Sequence, residues 1–149
     1  MTTSTFEGRG GAVMGRFDRE LYRRPLSSAA MRFFQYPGCS TCRRAAKLLK
    51  ELGLHVESID LVAAPPSVET LRDLHARSGL PLKKFFNVSG VSYRSGGFKD
   101  RLPTMSEDDQ RAALAADGKL IKRPILDTGA GVLVGFREDA WREATSQNR

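Results

Sequence analysis

Cysteine is scarce in this chain of 149 residues, with only two present. That excludes a small secreted scaffold held by a disulfide framework. It also falls short of the about four ligands that a structural zinc site wants. Histidine is equally sparse: His55 and His75 are the only two, and neither stands at ligand spacing from the cysteines. Long apolar runs are missing as well. No stretch approaches the roughly 18 apolar residues of a membrane span. No apolar core of about 7–15 residues near the start marks a secretory signal. Ser89, Gly90, Gly96 and Gly97 form no phosphate loop, because no Gly-Lys-Ser/Thr follows them. Internal repeats and long low-complexity runs are absent.

What is there fits a soluble globular protein: 40% apolar and 28% charged residues. The length points to one domain. Lys and Arg number 24 against 17 Asp and Glu, leaving a net charge of +7. This favours acidic partners without choosing among anions, nucleic acid and an acidic protein surface. Residues 1–30 carry +2 and residues 31–149 carry +5, so the excess is spread along the chain and forms no binding tail. The densest basic run is Arg43, Arg44, Lys47 and Lys50. At helical spacing Arg43, Lys47 and Lys50 share one face, which is either a solvated helix face or a positive field beside the two cysteines.

Residues 1–30 differ from the rest. Gly8, Gly10, Gly11 and Gly15, with scattered Arg and Ser, sustain no apolar period, and a disordered or loosely attached extension is expected. Its Arg, Ser and Thr suit an organelle transit peptide, against which Glu7, Asp18 and Glu20 count. Met31 stands directly before the first strand and is a candidate translation start. The domain is expected to occupy residues 31–149.

From Met31 the pattern is legible. Arg32 to Tyr36 reads as an aromatic-rich strand broken by Pro37 and Gly38. Ser40 to Leu52 reads as a helix with Ala45, Leu48, Leu49 and Leu52 on its apolar face and Gly53 as its stop. His55 to Leu61 reads as a second strand, completing a parallel βαβ unit. Ser67 caps a helix to about Ser78, ended by Gly79. Residues 82–118 read as helical, with a short apolar helix over 82–87. A longer one starts at Ser106, where Glu107, Asp108 and Asp109 complement the dipole. Leu120 to Asp127 and Val132 to Phe136 read as an antiparallel hairpin around a turn at 128–131. A terminal helix from Glu138 carries Trp141. This order predicts an α/β thioredoxin-like fold: a small mixed four-stranded sheet flanked by helices, with a helical insertion.

Cys39-Ser40-Thr41-Cys42 stands at the first strand–helix junction. Free N–H groups and the positive dipole end at a helix N-terminus stabilise a thiolate. Cys39, at or before the first turn, is the expected nucleophile. Cys42, one turn on, is close enough to resolve a mixed disulfide, so a reversible Cys39–Cys42 disulfide is expected. Arg43 and Arg44 add positive charge nearby. The alternative reading is a pair of half-buried structural thiols. His55 and His75 read as incidental polar residues, and Phe85, Phe86 and Trp141 as core aromatics and not a base-stacking platform.

Over about residues 32–143 the chain resembles the arsenate reductase ArsC/Spx family, and most closely its Spx/MgsR branch. The resemblance rests on CSTCRRA at 39–45, APPS at 64–67, KKFFNVSGVSYR at 83–94, FKDRLPTMSEDD at 98–109, DGKLIKRPI at 117–125 and VLVGFREDAW at 132–141. It implies a thioredoxin-like fold, a redox cysteine at Cys39, and an anion-binding arginine at Arg123 beside a cis Pro124. The family's arsenate reductases have one cysteine where this chain has CxxC, and they surround arsenate with three arginines. Here only Arg123 has its counterpart: Asn87 stands in place of a second, and the neighbourhood of Val134 and Gly135 lacks the third. Arsenate reduction is therefore expected to be weak or absent. The resemblance implies a cytoplasmic thiol–disulfide redox protein in which Cys39 attacks, Cys42 resolves and Arg123 stabilises the thiolate. Thioredoxin, glutaredoxin or glutathione would be the reductant, with no bound metal, flavin or nicotinamide. The competing class is a redox-sensing transcriptional regulator that binds RNA polymerase. A monomer is expected, without membrane association or direct sequence-specific nucleic-acid binding.

Overall fold

The structure is a computed structural model that describes residues 31–146. The extension expected over residues 1–30 lies outside the described residues.

Strand β1 (Met31–Gln35) runs from the start of the domain to the cysteine loop. Helix α1 (Ser40–Glu51) returns along the sheet, and β2 (Val56–Asp60) pairs parallel to β1. Leu52 closes α1 and Gly53 leaves it with φ of +70°, the left-handed region that glycine enters without a Cβ clash. Helix α2 (Val68–Ser78) begins at Ser67, whose side chain accepts from the Thr70 amide, and ends at Gly79 in the left-handed region. A 3₁₀ turn (Leu82–Phe85), the short helices α3 (Val91–Ser95) and α4 (Phe98–Arg101), a second 3₁₀ turn (Leu102–Thr104) and helix α5 (Glu107–Ala116) form the insertion. Ser106 caps α5 by accepting from the Asp109 amide. Strands β3 (Ile125–Asp127) and β4 (Val132–Val134) make the antiparallel hairpin, and α6 (Glu138–Ser146) follows. The strand order is β2-β1-β3-β4, with β3 antiparallel to β1. The four-stranded mixed sheet and the helical insertion are those expected from the sequence.

Side chains alternate along β1, and the sheet therefore buries two apolar clusters, one on each face. Met31 and Phe33 join Ala45, Leu48 and Leu49 of α1, Leu126 and Trp141. Phe34 joins Leu71 and Leu74 of α2, Phe85, Phe86 and Phe98 of the insertion, and Ile125. The insertion thus carries a large share of the second cluster. Each fully buried Leu or Phe contributes about 1.5–3 kcal/mol relative to exposure, so these faces hold the cysteine loop on a rigid base.

The expected strand over 120–127 is shorter than its apolar content suggests. Gly118–Leu120 is a 3₁₀ turn whose glycine abuts the Leu61 carbonyl with no room for a Cβ. Ile121 bridges Phe86 and the Lys122 amide donates to the Phe85 carbonyl, so this segment pairs with the insertion instead of with β1. Pro124 has no amide to donate, and the ladder to β1 starts only at Ile125. The strand expected over 132–136 likewise stops at Val134, because Gly135 turns away with φ of +80°.

At the sheet end opposite the cysteine loop, Asp127 is buried between two arginines. Arg32 Nη2 and Nε donate to Oδ2 at 2.8 and 3.2 Å. Arg77 from the end of α2 donates to both carboxylate oxygens at 2.8 Å. The Gly129 amide supplies a further bond to Oδ1 at 2.9 Å. Burial raises the Asp127 pKa, but the bonds from Arg77, Arg32 and Gly129 overcome it and hold it down at about 2.

Candidate active site

The cysteine loop follows from a short chain of local constraints. Pro37 and Gly38 end β1, and the Cys39 amide donates back to the Tyr36 carbonyl at 3.0 Å. Cys39 has extended backbone angles and is the N-cap of α1. Its Sγ takes the place that a serine or aspartate oxygen usually fills, accepting from the Cys42 amide at 3.2 Å. No acidic residue stands in the first turn of α1, so nothing there offsets the positive end of its dipole. Both cysteines are free thiols. Cys39 is half-buried and Cys42 is 2% exposed.

The two thiols are held in opposite states. Burial raises the Cys39 pKa, but hydrogen bonds from the Cys42 thiol and amide and the Arg123 guanidinium outweigh it, and the net shift is down. Burial and the bond to Cys39 push Cys42 up to about 12. At neutral pH Cys42 therefore keeps its proton and donates it to Cys39, the more accessible of the two sulfurs.

Arg123 reaches this loop from the turn before β3. The Arg123–Pro124 bond is cis. Its Nη1 donates to the Lys119 and Ile121 carbonyls at 3.1 and 3.4 Å, and its Cζ lies 5.2 Å from the centre of the Tyr36 ring. Two carbonyls and an aromatic face thus fix the guanidinium beside the cysteine loop. Pro124 is buried and its carbonyl accepts from the Gly135 amide at 2.8 Å, tying the turn to β4.

The remaining candidates lie elsewhere. Arg43 donates to the Pro37 carbonyl at 3.1 Å and braces the loop, while Arg44 lies over Phe136 at 5.6 Å. Among the groups that lower the Cys39 pKa is the charge of Arg123. Asn87 is engaged by its main chain with Leu120 and Gly90. Gly135 has φ of +80°, so an arginine there would be strained. His55 is exposed, and His75 packs on Phe85 and meets Arg111 at 3.3 Å. Tyr36 is the site residue that sequence reasoning passed over. It closes the expected strand, and an aromatic directly before a Pro-Gly turn is placed to shelve a cation.

Arg123→Ala is expected to raise the Cys39 pKa and slow its alkylation at pH 7 about three- to tenfold, because a smaller thiolate fraction is partly offset by greater nucleophilicity. Arg123→Lys should recover part of the rate, since the charge stays but the planar fork is lost. An unchanged pH profile of alkylation in Arg123→Ala would remove Arg123 from the site.

A thioredoxin-like fold with a thiol at its first strand–helix junction marks the class of thiol redox proteins. The ArsC family pattern matches residues 34–144, and the chain belongs to the ArsC family. It is 49% identical to the YusI protein of Bacillus subtilis over 114 residues, covering 76% of this chain and 97% of that protein. The solution structure of SACOL0876 from Staphylococcus aureus superposes with a TM-score of 0.69 at 38% identity, covering 76% of this chain and 96% of the other. Arsenate reductase from Vibrio cholerae superposes with a TM-score of 0.65 at 28% identity, covering 72% and 91%. Among the described residues no helix is long and apolar enough to cross a membrane.

Proposed function

We propose that this chain is a thiol–disulfide redox protein that works through the Cys39–Cys42 pair. The Cys39 thiolate attacks one sulfur of a substrate disulfide. That S–S bond breaks, a mixed disulfide to Cys39 forms, and the departing substrate thiolate takes a proton from solvent. Cys42 then gives up its proton and attacks Cys39 Sγ. The second substrate thiolate leaves, and the chain keeps a Cys39–Cys42 disulfide. Two electrons have passed from the chain to the substrate. Thioredoxin, glutaredoxin or glutathione returns them, and the cycle uses sulfur chemistry alone. Arg123 stabilises the thiolate both as attacker and as leaving group, with cis Pro124 and Arg43 shaping the turn and the loop around it.

The observation that carries this reading is the asymmetry of the pair: one accessible thiol with a lowered pKa, and one buried thiol pushed up to about 12 that donates to it. Arsenate is a poor fit to the same site. A multiply charged oxyanion needs several charge-assisted donors, and Asn87 stands where the resemblance expects a second arginine, while the neighbourhood of Val134 and Gly135 lacks the third. The test is mild peroxide followed by alkylation and intact-mass readout. Both free thiols should disappear together in a monomeric product and return on reduction. Cross-linked dimers as the main oxidised species would count against the pair acting together.

A further inference from the structure

A groove of about 890 Å³ runs between the insertion and β4. Its walls are apolar, from Leu82, Phe86, Leu102 and Val134, and Val88 on its rim is 54% exposed. Around it stand five exposed cations: Lys83, Lys84, Lys99, Lys122 and Arg137. Among the described residues none of these forms an ion pair with a carboxylate. The one acid on the lining, Glu107, faces Arg111 at 3.7 Å. Surface cations are ordinarily interspersed with acids, so five unpaired ones around an apolar floor make a field that an anionic chain with apolar side chains would satisfy.

The groove reaches residues next to the turn that carries Arg123. Lys122 immediately precedes Arg123, and Val134 pairs with Ile125, the residue after cis Pro124. A chain lying in the groove would therefore contact Lys122, the residue before Arg123. Nucleic acid suits the groove less well. Phe86 is buried, and Tyr93 is stacked on Phe98 at 6.0 Å, so the aromatic rings here are already engaged with one another.

We propose that this groove docks an acidic polypeptide segment of the substrate whose disulfide Cys39 attacks, making the chain selective for acidic protein substrates. The inference rests on the thiol–disulfide reading above and adds its substrate class. The test uses the full chain, reduced, in single-turnover reactions with two short disulfide-bonded peptides of equal apolar content. One is rich in Asp and Glu, the other in Lys. Hydroxyethyl disulfide, small and uncharged, serves as the reference substrate. The acidic peptide should react about tenfold faster than the basic one at low salt, with the gap closing at high salt as screening shortens the field. The triple variant Lys83→Glu, Lys84→Glu, Lys99→Glu should lose or invert that preference while hydroxyethyl disulfide reacts at the wild-type rate. Equal rates for the two peptides, or a preference that survives charge reversal, would overturn the docking inference and leave the exchange reading standing. Failure of the wild type to reduce hydroxyethyl disulfide would instead strike the exchange reading. The groove is then judged by fluorescence anisotropy of a labelled, cysteine-free acidic peptide, whose binding the triple variant must weaken at least about fivefold. Tighter binding of a single-stranded oligonucleotide than of that peptide would also overturn the inference.

Discussion

Cys39→Ser is expected to slow reduction of a small disulfide by about three orders of magnitude, whereas Cys42→Ser should leave the first attack nearly intact and stop the reaction at a mixed disulfide. The two substitutions remove the same atom type from positions three residues apart, so the difference between them comes from the fold. In Cys39→Ser the remaining thiol is 2% exposed, and burial, the largest cause of its raised pKa, persists, so at neutral pH little thiolate is present and little of it is reachable. In Cys42→Ser the N-cap geometry persists, because the amide that donates to Cys39 Sγ at 3.2 Å belongs to the backbone. A serine hydroxyl can also replace the lost thiol as a donor. Intact mass after mixing with glutathione disulfide should show a stable glutathione adduct on Cys42→Ser, none on Cys39→Ser, and only a passing one on the wild type. Substantial retained activity in Cys39→Ser would assign the nucleophile wrongly. The attacking step should be insensitive to pH well above the lowered Cys39 pKa and fall below it, since protonation removes the nucleophile.

The parts of this molecule that were legible in the sequence are those set by near neighbours. The switch from a strand to a 3.6-residue period across Pro37–Gly38 fixed both β1 and α1, and with them the place of the two cysteines. Ser67 and Ser106 announced their helices because a cap bonds only two or three residues ahead. Where the outcome depended on distant partners, the reading ran too long or stopped short. The apolar run from Leu120 looks like one strand, but its first half is claimed by Phe85 and Phe86, which lie far back in the chain. Arg123 could be named by resemblance. The groups that hold it, the Tyr36 ring and the Lys119 and Ile121 carbonyls, are a product of tertiary packing. Asp127 is the extreme case. Its arginine partners stand 95 and 50 residues away, and nothing in the local pattern distinguishes it from a polar strand end.

That buried carboxylate also carries the largest expected effect on stability. Asp127 has a side-chain exposure of 7%, and its two arginine partners have 22% and 29%. Truncating it to alanine strands two guanidinium groups that were oriented onto it and removes the Gly129 amide's acceptor. Arg77 keeps Asp73 at 2.8 Å, which limits the damage. The expected loss is about 2–4 kcal/mol, with a fall in Tm of roughly 10 °C for a domain of this size. Asp127→Asn should fall between, since it keeps the shape and one acceptor but not the charge. The pH dependence has a definite sign. The carboxyl pKa lies near 3.8 when free and is held at about 2 in the fold, so the native state favours the ionised form. Its contribution, on the order of 2 kcal/mol, is complete above the free value and lost as pH falls from near 4 through about 2. Urea melts of the wild type should therefore weaken across that window more steeply than those of Asp127→Asn, and the two curves should converge at the acid end. Parallel curves across the window would show that the ion cluster contributes nothing to folding, and that the two arginines are held by packing alone.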